Sequence, residues 1–158
     1  MIHITVRNFI FELGYPSIMK ALFNSIAHHL EGREWGSKYP VIMNELYYEG
    51  IEVEHLEQGL KEIKEIQEKL KDYAPDQIVW NYEDITISPP WGNRISDNIT
   101  SLSNYFMSTD GNESIDTIIY AIELALRVKH RVCIKNINMD DVEVLDINQL
   151  MAESDNSN

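Results

Sequence analysis

The chain has 158 residues, enough to bury a core without metal or disulfide support, and its 44% apolar content is ordinary for a globular protein. Cys133 is the single cysteine, which excludes an internal disulfide and agrees with a reducing compartment. The net charge of −13 argues against nucleic acid and anionic membranes as partners and for a basic one. The charge is uneven. Residues 40–126 carry seventeen acids against five bases, residues 127–135 four bases and no acid, and residues 136–158 six acids and no base. No apolar run approaches the roughly 20 residues of a membrane span. Met1-Ile2-His3-Ile4 shows no secretion signal, so a cytoplasmic protein is expected.

Ile2, Ile4 and Val6 alternate with His3, Thr5 and Arg7, the period of a strand with one apolar face. Phe9-Ile10-Phe11 is read as its extension past a bulge, and Gly14-Tyr15-Pro16 ends it. Pro16 suits a first helical turn, and Ile18, Met19, Leu22, Phe23, Ile26 and Leu30 follow at helical spacing, with Gly32 at the position of a helix-terminating glycine. After a loop containing Trp35-Gly36, Pro40 opens a short apolar-faced segment, Val41 to Tyr48, closed by Gly50. The spacing then predicts a long helix from about Glu52 to Tyr73, with Val53, Leu56, Leu60, Ile63 and Leu70 as its buried stripe. Glu57–Lys61 and Glu65–Lys69 are ion pairs in the favourable order. Gly59 weakens this helix by about 1 kcal/mol relative to alanine, and Pro75 closes it.

Ile78-Val79-Trp80-Asn81-Tyr82 is rich in branched and aromatic side chains and predicts a strand. Ser88-Pro89-Pro90-Trp91-Gly92-Asn93-Arg94-Ile95 has no regular period. Two prolines fix two φ angles, Gly92 admits a left-handed turn, and Trp91 brings a large apolar surface with one N–H to satisfy. The octapeptide is a rigid corner. Asp97 to Leu102 is a turn or loop, Leu102 to Met107 a weaker strand, and Ser108 to Asn112 a turn in which Asp110 closes the turn or caps the following helix. That helix runs to about Lys129 with Ile115, Ile118, Ile119, Ile122 and Leu126 inward, and Val132 and Ile134 mark another strand. Val142 to Ile147 is a last strand or a partly ordered segment, and Glu153 to Asn158 a polar, disordered tail. The fold expected is a single α+β domain over residues 1–150, a small antiparallel or mixed sheet packed with several helices, followed by an acidic tail over residues 151–158.

Catalytic signatures are absent from the sequence. There is no His-Glu-x-x-His or Cys-x-x-Cys spacing, and His28 and His29 are adjacent on a helix, about 100° apart. No Gly-x-Ser-x-Gly elbow occurs, and the scattered glycines build no phosphate loop. No catalytic residue, metal or cofactor is therefore expected. Glu83-Asp84, Asp110 and Asp140-Asp141 keep a small carboxylate-dependent hydrolase open as an alternative. Trp80, Tyr82, Trp91, Tyr105 and Phe106 surround the corner, either as core or as partner-facing anchors with an acidic rim.

Ser88-Pro89-Pro90-Trp91-Gly92-Asn93, followed by Leu102-Ser103-Asn104-Tyr105-Phe106 and Thr109-Asp110-Gly111, resembles the immunity protein 70 family, most clearly from about Glu83 to Lys129. Members of that family are small bacterial proteins encoded beside polymorphic toxins, which they neutralise. The resemblance implies a non-enzymatic cytosolic immunity protein that binds a cognate toxin domain. A basic toxin, such as a nuclease, fits the negative charge. Glu83, Asp84, Trp91, Asn93, Asp97, Tyr105 and Asp110 are then the partner-binding candidates. Pro89, Pro90, Gly92, Asn104, Phe106 and Gly111 are motif positions that a purely structural role would also explain. The alternative class is an acidic adaptor or regulatory module with another basic partner. Homo-oligomerisation is left open.

Overall fold

Alternation of apolar and polar side chains builds a hairpin from β1 (Ile2–Val6) and β2 (Phe9–Gly14) in the computed structural model, which describes residues 1–137. The chain reverses at Arg7, held at φ 52. Phe9–Phe11 is therefore the return strand, paired Val6↔Phe9 and Ile4↔Phe11, and not a continuation of β1. The pairing irregularity lies instead at the other end of the hairpin, between Ile2 and His3. β1 also pairs with β4 (Val132–Asn136), and β4 with the two-residue β3 (Gly50–Ile51). The order is β2-β1-β4-β3 and every pairing is antiparallel, so of the two sheet types expected the antiparallel one forms.

Pro16 occupies the first turn of α1 (Pro16–Ser25), which widens into π-helical geometry over Ile26–Leu30. Gly32 ends it at φ 58, where the N–H of Arg33 donates back to the carbonyl of Ala27. A second π-helical segment, Val41–Leu46, follows Pro40. α2 (Leu56–Leu70) starts after a single 3₁₀ turn, and α3 (Ser114–Val128) ends on Lys129 in the left-handed region. α2 packs on α3, and α3 on the β1–β2 hairpin, around Ile4, Val6, Leu22, Phe23, Ile63, Ile66, Ile118, Ile122 and Val132.

The stripe of α2 differs from the one its spacing predicts. Val53 is 40% exposed because the 3₁₀ turn before the helix rotates it outward, while Ile66 and Glu62 are buried. Gly59 has a packing reason: a Cβ there would lie 3.1 Å from Ile51 Cδ1 and from Val41 Cγ1, tight enough that those side chains would have to shift by a few tenths of an ångström. Neither Glu57–Lys61 nor Glu65–Lys69 closes among the described residues. Lys64 reaches Glu123 on α3 at 3.6 Å, and Lys71 reaches Glu68 at 2.8 Å.

The strands expected at Ile78–Tyr82 and Leu102–Met107 do not form. The backbone of the first is claimed by α1: Val79 N–H donates to Ser25 Oγ at 3.0 Å, and Asn24 Nδ2 donates to the Trp80 carbonyl. In the second, Leu102 N–H goes to the Tyr73 carbonyl, and only Met107 makes a bridge, to Glu113. The expected Val142–Ile147 strand and the polar tail lie outside the described residues.

Candidate partner-binding surface

Between α2 and α3 the chain is held by isolated turn bonds and by single side chains. The rings of Trp80 and Trp91 meet edge to face, centroids 5.2 Å apart, so an excursion of the chain over residues 81–90 begins and ends at one point. Trp91 Nε1 donates to Tyr105 Oη at 2.8 Å, which satisfies the indole and anchors it to the core, where Tyr105 and Phe106 are buried. Burial pushes the Tyr105 phenol up from its ordinary pKa. Pro89 is buried, and its carbonyl accepts the N–H of Gly92, which takes φ 58 to close that turn.

Within the excursion, Asn81 Oδ1 accepts the N–H groups of Glu83 and Asp84 at 2.9 and 3.1 Å. Asp84 in turn accepts the Thr86 N–H at 3.0 Å and the Thr86 hydroxyl, bonds that hold its carboxyl below the usual carboxylate range. Asn104 does the same for the next loop, accepting from the N–H of Thr100 and Ser101 and donating to the Asn98 carbonyl. Glu12 on β2 accepts from Thr109, and Ser114 donates to the Leu13 carbonyl at 2.7 Å, tying the segment to the hairpin.

A cleft of about 460 Å³ opens beside the excursion. Trp80, Asn81, Tyr82 and Glu83 form one wall, Trp35, Tyr47 and Tyr48 the other, and Lys20 and Asn24 also line it. Tyr82 Oη donates to the Arg33 carbonyl and Trp35 Nε1 to the Met43 carbonyl, so both walls are fixed. A second cleft of about 440 Å³ shares Lys20, Tyr47 and Tyr48 and has an apolar floor of Ile2, Met19, Phe23 and Ile134. A third, about 280 Å³, lies against Trp91 and Tyr105 with Arg94, Ile95 and Ile99.

Of the seven partner-binding candidates, the structure joins Trp91 and Tyr105 directly. Glu83 and Asp84 are exposed together on the excursion, with Glu83 on the cleft wall. Asn93 and Asp97 are exposed on the turns that follow the corner. Asp110 is exposed on a separate turn, and there the structure differs from the expectation: Ser108 closes the turn through its hydroxyl and carbonyl, while Glu113 sits at the start of α3. Gly111, at φ 82, supplies the bend of that turn. The acids thus occupy separate turns and do not converge. Trp35, Tyr47, Tyr48 and Lys20 were not singled out from the sequence; the aromatics' one signal there is their density in two loops distant along the chain, and Lys20 on α1 has none.

Among the described residues two carboxylates are buried, Glu31 and Glu62. Glu31 accepts the N–H groups of Gly36, Lys38 and Tyr39, and Glu62 accepts that of Ile42 at the start of the second π-helical segment. Desolvation pushes the Glu62 carboxyl up despite that bond. Neither lines any of the three clefts. Among the described residues no group of His, Cys, Asp and Glu is arranged to hold a metal ion. No helix among them is long and apolar enough to cross a membrane.

Over residues 4–134 the sequence fits a family model of immunity proteins, a class that acts against toxins. The family is Immunity protein 70, and the chain belongs to it. The match takes in the N-terminal half as well as the motif region from which the resemblance was read. No curated protein and no solved structure matches the chain.

Proposed function

We propose that the protein protects its host cell by binding one cognate toxin domain in the cytoplasm and covering it, without chemistry of its own. Membership of the Immunity protein 70 family carries this reading. The surface chemistry supports it. Glu83, Asp84, Asp97 and Asp110 are exposed, and none takes part in an ion pair among the described residues, so their charge is free to meet a basic partner. The aromatic cleft beside Glu83 offers rigid apolar area of the kind that anchors interfaces. The buried carboxylates speak against a hydrolase, because Glu31 and Glu62 are engaged by backbone N–H groups and line none of the three clefts described.

The test is co-expression. The toxin domain encoded beside this gene is induced in a bacterial host with and without the protein, and the survivors are examined for a complex. Rescue with a stable one-to-one complex is expected. Rescue without a complex would replace covering by enzymatic antagonism.

A further inference from the structure

We propose that the tip of the 81–90 excursion is the plug that enters the toxin, with Ile85 and Ile87 as its apolar anchors; this rests on the immunity reading above. The neck of the excursion is closed by the Trp80–Trp91 ring contact, and Trp91 is tied to buried Tyr105. Asn81 and Asp84 hold its backbone from inside, and the Ile87 N–H donates to the Asp84 carbonyl. At the end of this ordered scaffold Ile85 is 50% and Ile87 44% exposed. Nearby apolar pairs on a rigid protrusion mark a contact surface, and a loop ordered before it binds loses little entropy on docking.

The charge around the tip says what receives it. Glu83 and Asp84 are exposed beside the two isoleucines, free of ion pairs among the described residues, on a chain of net charge −13. The complementary site is an apolar socket rimmed by Lys or Arg on the toxin domain.

The experiment compares wild type, an Ile85→Asp/Ile87→Asp double variant and a Phe9→Asp control for binding to the toxin domain encoded beside the gene. Phe9 is an exposed apolar residue on the hairpin, outside the excursion. All three are checked for folding by circular dichroism and for self-association by sedimentation. The double variant should bind on the order of thirty-fold more weakly or worse and fail to rescue, with wild-type binding restored by Ile85→Val/Ile87→Val and retained by Phe9→Asp. Near-wild-type affinity of the folded double variant overturns the plug, as does an equal loss in the Phe9→Asp control. A wild-type homodimer that the double variant dissociates, with toxin binding unchanged, also overturns it and assigns the tip to a second copy of this chain. Failure of wild type itself to bind or rescue defeats the immunity reading instead.

Discussion

The sheet with α2 and α3 and the segment joining those two helices are stabilised in different ways. In the sheet and helices, hydrogen bonds repeat with the element and the apolar pattern decides which face is buried. In residues 74–113 no bond pattern repeats: isolated backbone pairs close single turns, as Gly92 with Pro89, and other backbone groups are met by individual side chains, Ser25 and Asn24 from α1, Asn81, Asp84 and Asn104 locally, and Glu12 from β2. Repeating bonds tolerate changes of surface sequence, whereas individually bonded loops can take unusual shapes but depend on named residues. The molecule thus places stability in one region and its candidate recognition surface in the other.

The largest effect expected is in the frame. Ile122→Ala, at a fully buried site on α3, should cost about 2–5 kcal/mol in urea unfolding, while the protein that remains folded binds toxin as before. A parallel loss of affinity per folded molecule would erase the division between the regions. Asn104→Ala should cost less, about 1–2 kcal/mol, because two N–H groups lose their acceptor in a partly exposed loop. Tyr105→Phe should cost about 1 kcal/mol by leaving the Trp91 indole without its acceptor. Its sharper readout is tryptophan emission, which should shift as the neck of the excursion loosens. An unchanged spectrum would show that the ring contact alone holds the neck.

The smallest effect lies at the seam. Glu113, at the start of α3, faces the Asp116 carboxylate, and that neighbour together with burial pushes its carboxyl up to about 7. Asp116 also accepts from Gln67 on α2. A carboxyl whose folded pKa is raised stabilises the fold while it is protonated. That contribution is complete at pH below the ordinary glutamate range and fades as pH rises to about 7. Its size is no more than about 1 kcal/mol, because the pair is open to solvent. Urea midpoints of wild type should fall between pH 4.5 and 7.5, and the fall should be shallower in Glu113→Gln. Parallel slopes would assign the pH dependence to the other groups raised in the fold, buried Glu62 and His55 hydrogen-bonded to Glu45.

The frame was largely legible in the sequence, since Ile2–Val6, the helix from Pro16, the helix through Ile122 and the Val132–Ile134 strand each repeat at their own period. β3 is two residues long and too short to show any period. The Ile78–Tyr82 segment has the composition of a strand, but its ladder groups are taken by α1, a tertiary claim that local composition does not carry. Glu31 and Glu62 were hidden among 26 acids, because nothing local distinguishes a carboxylate that caps backbone N–H groups from one facing water. At the candidate site, the Pro-Pro-Trp corner announced a rigid structure, and Trp91 with Tyr105 supplies it. Ile85 and Ile87 alternate with polar neighbours as they would in an ordinary strand, so their exposure showed only in three dimensions.

β4 lies between β1 and β3, yet among the described residues it is the last strand along the chain. During synthesis the β1–β2 hairpin and the short β3 leave the ribosome long before the strand that joins them, and the pairing Ile2↔Asn136 closes a loop of nearly the whole described chain. Such long-range closure is slow and comes late. A nascent chain interrupted before Val132 lacks one of the two inner strands of its sheet, so the β1–β2 hairpin and β3 stay unjoined until translation has passed β4.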